Sequence, residues 1–385
     1  MKKIVLVGGG HSHAIVLRRW GLNPLADVDL TLITNVTQTP YSGMLPGYLA
    51  GFYTFAETHI DLFALAKFAQ AQIILDTAIA LDLSKRQIIC INQPPIDFDY
   101  LSLDIGSTPK LDNIAGSEYV IPAKPIPPLL TAWENLLTNL QQHPQQRLKI
   151  VIVGGGAGGV ELALNMQTRL HSLLKQADQP LDNLSINLIQ RAPRLLPDHN
   201  TWVGKQLDKV LQRRGINIHY LDSIQAITKT ANNGYQLSCQ SGLQFSAEVV
   251  FWVTQASAAP WLAQSGLQTD ERGFVLVAPT LESISHPRIF AAGDVATVRN
   301  YPRPKAGVFA VRQGQPLFEN LRRSLQGKTL KAYLPQKYYL SLIGTGDQNA
   351  IATWGNLAGQ HPLFWQWKDH IDRTFMAQFQ NLKIT

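Results

Sequence analysis

The sequence is poor in cysteine and in charge. Among 385 residues there are two cysteines, Cys90 and Cys239, and charged residues make up 16% of the chain. Two cysteines so far apart in sequence do not supply a closely spaced redox pair or a disulfide-stabilised extracellular scaffold. Each lies in a strand-like segment, where a lone cysteine is usually an inert buried side chain. We therefore expect no chemistry that requires two neighbouring thiols.

Long apolar runs are also missing. The apolar run that follows Lys3 ends at Gly8, which is too short for an export signal and predicts a first strand. The uncharged stretch 249–269 is interrupted by Pro260 and by polar residues, so it predicts a strand and a loop and not a membrane span. With few cysteines and no export signal, we expect a cytoplasmic protein.

Two further classes of ligand find no support. His, Cys, Asp and Glu nowhere cluster at the spacing of a metal site, so no metal is expected. The net charge of +7 comes from basic residues scattered along the chain, and no nucleic-acid motif accompanies them, so no nucleic acid is expected. Basic charge of this kind also attracts small molecules that carry phosphate.

What the sequence does contain is one pattern that occurs twice. Apolar residues 4–7 and 150–153 each lead into a glycine-rich turn and then into a helical stretch, over 14–20 and 160–173. The apolar runs predict buried parallel strands. Such a turn lets a pyrophosphate bind the N–H groups at the positive end of the helix. We therefore expect two bound dinucleotides, one on Gly8, Gly10, His11, Ser12 and His13 and the other on Gly154, Gly156, Ala157, Gly158 and Gly159.

The two copies of the turn are unequal. Gly154, Gly156 and Gly159 occupy all three positions of the Gly-x-Gly-x-x-Gly pattern. The first copy has His13 at the third position, where glycine or alanine normally lets the helix pack close to the strand. The second copy is the more regular site, and we expect it to hold the exchangeable cofactor.

Two more segments complete the arrangement. Residues 287–296 predict a short apolar strand that ends in Gly293-Asp294, and residues 98–107 predict a strand that runs into Gly106. In order and spacing, these segments and the two turns resemble the two-dinucleotide-binding-domain flavoproteins, which include pyridine nucleotide-disulfide reductases, type II NADH dehydrogenases and sulfide:quinone reductases. The resemblance covers residues 1–315. It implies an α/β fold with two Rossmann-like domains, bound FAD and NAD(P)H, and an aspartate that hydrogen-bonds the ribityl chain of FAD.

The resemblance also divides the chain. Residues 1–115 and 275–330 would form the FAD-binding domain, interrupted by an NAD(P)H-binding domain over 145–270. The proline-rich run 122–128 predicts an extended linker between them, because proline disfavours a helix. Residues 331–385 remain as a small C-terminal region.

The missing thiol pair selects among the branches of this family. A disulfide reductase or a sulfide oxidase needs cysteines beside the flavin, whereas type II NADH dehydrogenases do not. The resemblance thus implies a FAD-dependent NAD(P)H:quinone oxidoreductase, in which hydride passes to FAD and two electrons pass to a quinone or another small acceptor. The opening turn 8–13, the loop 41–47 and the tail 367–376 also resemble a branch often fused to selenide, water dikinase. That likeness leaves open a soluble non-respiratory flavoprotein, linked to selenium metabolism or redox sensing through a protein partner.

Two segments are predicted to border the flavin ring. The loop 39–47, with Pro40 and Tyr41, follows the second strand, and in the family this loop runs along the isoalloxazine. Residues 304–314 predict the start of a helix. A helix start aimed at the ring would stabilise its reduced form, and Lys305 would add a full positive charge.

Glu161 is the candidate proton carrier. It lies two residues beyond Gly159, in the first turn of the predicted helix. In the family a glutamate there approaches the nicotinamide and the flavin and assists proton movement. The alternative is an acid that merely suits the positive end of the helix dipole. We expect the functional role, with Glu161 and Lys305 as the catalytic residues.

The ends of the second strands set the nucleotide specificity. An acid there binds the adenosine ribose, whereas a neutral or basic residue leaves room for a 2′-phosphate. The second domain has Gln190 and Arg191 at this place, which favours NADPH, although Arg191 is equally well a solvated loop charge. In the first domain Thr34 stands at the corresponding place, so the adenosine end of FAD is bound without the usual acid.

The C-terminal tail predicts an amphipathic helix over 362–382. Apolar and aromatic residues recur every three or four positions, namely Phe364, Trp367, Ile371, Phe375, Phe379 and Leu382. A stripe of this kind forms part of a core, a homodimer interface or a peripheral membrane face. The resemblance and the net charge of +7 favour docking on an inner or thylakoid membrane, and the sequence leaves the choice open.

Overall fold

The computed structural model describes residues 1–111, 114–231, 234–254, 256–380 and 382. The first part of the chain forms β1 (Lys2–Val7), α1 (His11–Leu22), β2 (Val28–Thr34), β3 (Gln38–Pro40), α2 (Leu45–Ala50), α3 (Phe55–Thr58), β4 (His59–Asp61), α4 (Leu62–Phe68), β5 (Gln72–Leu75), β6 (Ala78–Asp82), β7 (Gln87–Cys90), β8 (Ile96–Asp97), β9 (Tyr100–Leu103) and β10 (Thr108–Pro109). The middle part forms β11 (Ile121–Pro122), α5 (Ile126–Gln142), β12 (Leu148–Val153), α6 (Ala157–Gln176), β13 (Leu184–Gln190), α7 (Thr201–Arg213), β14 (Asn217–Tyr220), β15 (Ile224–Lys229), β16 (Tyr235–Cys239), β17 (Gln244–Ala247), β18 (Val249–Trp252), β19 (Ala256–Ser257) and α8 (Trp261–Gln264). The last part forms β20 (Val275–Val277), β21 (Ile289–Ala291), β22 (Ala296–Val298), α9 (Gly307–Leu325), β23 (Ser341–Gly344), β24 (Ala350–Trp354), β25 (Leu357–His361) and α10 (Pro362–Gln380).

The first unit is built on a parallel five-stranded sheet in the order β21-β9-β1-β2-β5. β1 lies in the middle, with Ile4 opposite Leu30 on one side and Tyr100 on the other. Residues 4–7 are at most 2% exposed, as expected for a parallel strand with helices or loops on both faces. β21 comes from chain beyond the second sheet, so the first unit is interrupted, as the resemblance predicts.

The second unit is built on another parallel sheet, in the order β11-β18-β12-β13-β14. All its strands lie within residues 121–252. β12 runs through the second glycine turn into α6, which is 20 residues long. The two sheets confirm the predicted α/β class with two Rossmann-like units.

The second unit starts and ends earlier in the chain than predicted. α5 buries Trp133 and Leu136 in the core of the second sheet, so this unit begins before residue 145. Leu262 and Leu267 already pack in the core of the first sheet, before the predicted limit at residue 270. Apolar packing therefore decides both limits, and the glycine motifs alone do not.

The proline-rich run 122–128 is not the extended linker that its composition predicts. Only its first part is extended, and α5 begins at Ile126 with proline in its first turn. The first N–H groups of a helix have no partner within the helix, so proline is tolerated there and its fixed φ suits the start. The crossing between the two units is therefore short.

The C-terminal region joins the two units. β23, β24 and β25 form an antiparallel sheet, and Ile343 and Ile351 of this sheet pack in the second core. Phe375 and Phe379 of α10 pack in the first core. This region is thus an integral part of the fold and not a separate appendage.

The predicted apolar stripe of α10 is divided between core and surface. Its C-terminal half is buried, whereas Trp367 and Ile371 are 48% and 40% exposed. Residues 381 and 383–385 of the predicted tail lie outside the described residues. No described helix combines the length and the apolar character needed to cross a membrane.

Candidate functional site

The first glycine of each glycine turn has a left-handed backbone conformation. Gly8 and Gly154 have φ values of +96° and +120°, a region that favours glycine. A side chain would also collide with the neighbouring strand connection, because a Cβ would lie 2.3 Å from the Asp104 oxygen in one case and 2.5 Å from the Val253 oxygen in the other. Both strands therefore require glycine where they turn into their helix.

The second turn fits the pyrophosphate of a dinucleotide. Gly156 precedes α6 without a side-chain cap, and no atom lies within 4 Å of a Cβ placed on it. Gly159 packs so closely that its Cβ would lie 1.8 Å from the Gly154 oxygen. The N–H groups at the helix start, bordered by Ala157 and Gly158, could therefore hold an anion such as the predicted pyrophosphate.

The first turn is built around His13. His13 is fully buried, and its Nδ1 and Nε2 lie 2.7 Å from the Gly8 oxygen and 2.8 Å from Ser102 Oγ. A carbonyl only accepts, so Nδ1 donates to Gly8 and Nε2 accepts from the serine hydroxyl. Burial lowers the pKa of His13 to about 4, which keeps the ring neutral. Both ring nitrogens are thus engaged within the protein, and the contact of His13 with the cofactor stays a prediction.

Ser12 and Thr34 lie beside the same turn. Ser12 Oγ donates to the Ala310 oxygen at 2.7 Å, which ties α1 to α9 and engages the hydroxyl within the protein. Thr34 Oγ1 donates to the Val36 oxygen at 3.2 Å and would lie 3.3 Å from a Cβ on Gly9. The end of β2 is therefore adjacent to the turn, where an adenosine site is predicted.

A buried acid that sequence analysis did not select also lies at the first turn. Asp104 follows β9 directly and is 3% exposed. Its Oδ2 accepts the N–H of His13 at 3.0 Å. Burial raises the pKa of Asp104 to about 7, so its charge changes near neutral pH.

Asp294 lies where a hydrogen bond to the ribityl chain is predicted. Its Oδ2 accepts from Ser107 Oγ at 3.2 Å and from the Lys124 ammonium. Burial works against the charged form, but Lys124, with smaller contributions from Lys305 and Ser107, outweighs it, so that the pKa of Asp294 lies below its ordinary value. Gly106, next to Ser107, has open space on the side of a Cβ. The Gly293-Asp294 segment and the predicted crossing thus meet at one place.

The loop 39–47 lies against the start of α1. His11 Nε2 is 3.3 Å from the Pro40 oxygen, and the rings of His11 and Tyr41 meet edge to face with centroids 5.3 Å apart. Phe375 of α10 packs on Tyr41 at a centroid distance of 4.5 Å. Burial lowers the pKa of His11. The first turn and the predicted flavin loop are therefore neighbours, with Phe375 as a partner that the sequence did not indicate.

The start of α9 meets the same loop. A Cβ on Gly307 would lie 2.7 Å from Ser42 Oγ. Lys305 Nζ donates to the Ala296 oxygen at 2.6 Å and lies 3.8 Å from the centroid of Phe274. Burial lowers the pKa of Lys305 to about 8. Lys305 is therefore held against β22, and its contact with the flavin ring stays a prediction.

Glu161 meets the C-terminal region where the two units join. Its Oε1 accepts the N–H of Gly344 at 2.9 Å. Protein surrounds this side chain, yet part of its surface is accessible, as for a group deep in a cleft. Burial raises the pKa of Glu161 to about 7, against the opposing effect of the Lys368 charge. Glu161 can therefore gain or lose a proton near neutral pH.

Lys368 and Asp372 of α10 connect this place to the flavin loop. Lys368 Nζ lies 2.6 Å from Asp372 Oδ2 and also donates to the Gly43 oxygen. The two side chains are 13% and 6% exposed. Burial and the hydrogen-bonded Asp372 raise the pKa of Tyr41. We call these four neighbouring ionisable residues, Glu161, Lys368, Asp372 and Tyr41, the junction cluster.

Gln190 and Arg191 occupy different environments. Gln190 is 8% exposed. Its Oε1 accepts the N–H of Gly155 at 3.2 Å, and its Nε2 donates to the Arg194 oxygen at 3.0 Å. Arg191 is exposed. Gln190 therefore braces the second glycine turn, and Arg191 is the side chain accessible to a 2′-phosphate.

The two cysteines are buried in β7 and β16. Burial raises the pKa of Cys90 to about 11 and that of Cys239 to about 12. Neither thiol is therefore a thiolate at neutral pH. Within the described ranges, no group of three or more His, Cys, Asp and Glu could hold a metal ion.

The residues that hold these groups in place were not among the predicted site residues, namely Asp104, Lys124, Lys368, Asp372 and Phe375. Asp104 had a usable signal, because an acid directly after an apolar strand lies at the sheet edge where ligands bind. Asp372 had a weaker one, since it is four residues from Lys368 on one helix face. Lys124 and Phe375 had none, because their partners are distant in the chain.

Comparison with known proteins agrees with this architecture. Residues 2–314 match the family model described as pyridine nucleotide-disulphide oxidoreductase. The NADH dehydrogenase-like protein YutJ of Bacillus subtilis is 22% identical over 382 residues, 96% of this chain and 99% of that protein. The type II NADH:quinone oxidoreductase Ndh of Mycobacterium tuberculosis is 24% identical over 379 residues, 91% of this chain and 77% of that protein. The sulfide:quinone oxidoreductase of Aquifex aeolicus superposes with a TM-score of 0.76 at 16% identity, over 100% of this chain and 92% of that one.

The family match spans both glycine turns and the Gly293-Asp294 segment, and the superposition shows that the sulfide:quinone oxidoreductase has a similar overall fold. The chain therefore belongs to the pyridine nucleotide-disulphide oxidoreductase family and binds FAD and NAD(P)H.

Proposed function

We propose that this chain is a FAD-dependent NAD(P)H:quinone oxidoreductase that works without a protein thiol. FAD, when bound, takes a hydride from the nicotinamide and gives two electrons to an acceptor. The chain itself holds the two nucleotides on its glycine turns and supplies protons. The junction cluster is the observation that carries the proposal.

The junction cluster lies between the segments assigned to the two cofactors. Glu161 is on α6, directly after the second glycine turn, whereas Tyr41 belongs to the loop beside the first. A quinone that takes two electrons also takes protons, so a proton donor is needed beside the acceptor. The carboxyl of Glu161 suits this task, because its pKa of about 7 leaves it partly protonated at neutral pH.

Lys368 and Asp372 orient this part of the site. Lys368 binds the Gly43 oxygen and Asp372 at once, so it ties α10 to the flavin loop. Its charge also lowers the pKa of Glu161 and opposes the effect of burial. Asp372 acts in the opposite direction and raises this pKa. We infer that the Lys368 charge keeps Glu161 from remaining protonated throughout the physiological pH range.

The relatives support quinone as the acceptor. Ndh is named a type II NADH:quinone oxidoreductase, and the superposed protein is named a sulfide:quinone oxidoreductase. The buried, neutral Cys90 and Cys239 disfavour sulfide chemistry for this chain, because carriage of sulfur needs reactive cysteines. Hydride from NAD(P)H is thus the proposed source of electrons.

Stopped-flow spectroscopy of the full-length, FAD-loaded protein tests the proposal. Anaerobic mixing with NADH or NADPH should bleach the flavin absorbance, and a second mixing with a water-soluble ubiquinone analogue should restore it on the timescale of turnover. Oxygen and selenite are the comparison acceptors. Reoxidation by selenite but not by the quinone would support the alternative, non-respiratory flavoprotein.

We also propose that the second site accepts NADPH. Its support is the exposed Arg191 directly after β13, and the neutral Gln190 at the strand end, which is engaged with Gly155. Arg191→Gln should lower kcat/KM for NADPH and leave that for NADH unchanged. Arg213→Gln, which removes an exposed charge from α7, is the matched control. A wild-type enzyme that strongly prefers NADH would contradict the proposal.

We propose a peripheral membrane contact through the exposed half of α10 and the adjoining hairpin. Large apolar side chains are exposed there, namely Trp354, Leu357, Leu363, Trp367 and Ile371. Aromatic and aliphatic groups of this kind enter the interfacial region of a bilayer. Trp367→Ser combined with Leu363→Ser should abolish flotation with anionic liposomes, whereas Leu75→Ser, at an exposed apolar residue in β5, should not. Absence of flotation by the wild-type protein would favour a protein interface.

A further inference from the structure

Asp104 occupies a space that three glycines leave open. Its backbone oxygen lies against Gly8, as described above. A Cβ on Gly10 would be 2.4 Å from its Oδ2, and a Cβ on Gly293 would be 2.4 Å from its Oδ1. The carboxyl therefore lies between the first glycine turn and the Gly293-Asp294 segment, both of which are assigned to FAD.

The same carboxyl serves the start of α1. Gly10 precedes this helix and provides no side-chain cap, and Asp104 Oδ2 accepts the N–H of His13 in its first turn. The N–H of Ser12 also points to this carboxyl. An acid from β9 thus binds the helix end at which the pyrophosphate of FAD is expected.

Among the described residues, no cation binds Asp104 directly. From α1, the His13 ring is neutral, as shown above, and burial lowers the pKa of His11. From the Gly293-Asp294 segment, Asp294 faces it as a second acid and raises its pKa further. Lys124 is engaged with Asp294 and not with Asp104. The negative charge of an ionised Asp104 is therefore stabilised only by the backbone N–H groups that bind it.

A bound FAD would bring a doubly negative pyrophosphate to this helix end. Two anions at one helix start repel each other strongly in a buried environment, where water does not screen them. We infer that Asp104 takes up one proton from solvent when FAD binds, so that FAD affinity is coupled to the protonation of this single carboxyl. The inference rests on FAD binding alone and is independent of the acceptor proposed above.

The size of the coupling follows from linkage. With the pKa of Asp104 at about 7 in the FAD-free protein, the acid is protonated at pH 6 and ionised at pH 8. If FAD binds only the protonated form, its Kd should be constant below pH 6 and rise by about tenfold between pH 6 and pH 8. The Asp104→Asn variant cannot ionise, so its Kd should stay constant.

FAD titration of the full-length, deflavinated protein tests the inference. Flavin fluorescence is recorded from pH 6 to pH 8.5 for the wild type, Asp104→Asn and Asp294→Asn. We expect the tenfold rise in the wild type, a flat profile for Asp104→Asn, and a rise that persists in Asp294→Asn at a lower overall affinity. A pH-independent wild type, or a rise that disappears only in Asp294→Asn, would overturn the inference.

A second measurement does not depend on the folding of a variant. Calorimetric titration of the wild type with FAD at pH 8, in two buffers of different ionisation enthalpy, counts the protons taken up. Uptake of close to one proton per FAD supports the inference, and uptake of none overturns it. Because neither nicotinamide nor quinone is present, failure of the quinone proposal cannot affect this result.

Discussion

The replacement Glu161→Gln is the sharpest test of the junction cluster. Glutamine keeps an oxygen that can accept the Gly344 N–H but removes the charge and the exchangeable proton. Burial raises the pKa of this carboxyl from 4.5 to about 7. Since each pKa unit corresponds to about 1.4 kcal/mol, ionised Glu161 destabilises the folded protein by about 3 kcal/mol relative to its protonated form.

The sign of the effect follows from the raised pKa. Below pH 4.5 the group is protonated in both the folded and the unfolded chain, so it has no effect. Between pH 4.5 and pH 7 the unfolded chain ionises first, and the wild type loses stability as the pH rises. Glu161→Gln should therefore gain stability over the wild type across this range, reaching about 3 kcal/mol at pH 8.

Urea denaturation of the FAD-loaded protein at pH 5 and pH 8 measures this difference. Glu271→Gln, which removes an exposed carboxylate, is the matched control and should show no comparable change. Glu161→Gln should retain FAD but lose about 100-fold in kcat with quinone, which is the lower end of what a general acid supplies. The transition near pH 7 that we expect in the pH–rate profile of the wild type should also be absent from this variant. An unchanged pH–rate profile in Glu161→Gln would refute the proton-transfer role and leave an acid that suits a helix start.

Three further predictions address the surroundings of this site. Lys368→Met removes the cation that lowers the pKa of Glu161, so the transition in the pH–rate profile should move to higher pH. An unmoved transition would show that Lys368 does not affect the ionisation that limits the rate. Phe375→Ala should lower the free energy of unfolding by about 3 kcal/mol or more, because Phe375 is 7% exposed and packs on Tyr41. Trp367→Ala on the exposed side of the same helix should change it by about 0.5 kcal/mol or less, and equal losses in urea denaturation would contradict this division of α10. Lys305→Met tests the predicted flavin contact: a more negative flavin midpoint potential supports it, whereas an unchanged potential limits Lys305 to its contacts with β22 and Phe274.

Much of the architecture could be predicted because it depends on neighbours in the chain. An apolar run followed by a glycine with positive φ and then by a helix is a local pattern, and both copies form as predicted. The limits of the second unit could not be placed in the same way, because they depend on which core receives an amphipathic segment. α5 is the clearest case, since its prolines suggest a linker while Trp133 and Leu136 pack in the second core.

The candidate site, too, could be predicted from the sequence only in part. Gly154, Asp294 and Glu161 could be chosen from motifs, but the roles of several side chains depend on what packs against them. The sequence predicts that His13 binds the cofactor, whereas in the structure its two ring nitrogens form hydrogen bonds with Gly8 and Ser102. In the sequence Asp104 is only the residue at the end of a predicted strand, whereas in the structure it is a buried acid that binds the start of α1.

The sequence by itself determined that there are two strand–turn–helix nucleotide sites, that the second is the regular one, and that no thiol pair serves them. These properties depend on residue type and spacing over short stretches, where sterics and hydrogen bonding act directly. Only the tertiary structure decided which charges meet. Lys124 meets Asp294, and the Lys368–Asp372 pair of α10 meets Glu161 of α6, from segments far apart in the chain. Their pKa values and contacts depend on burial and distance, which exist only after the two sheets and α10 have packed together.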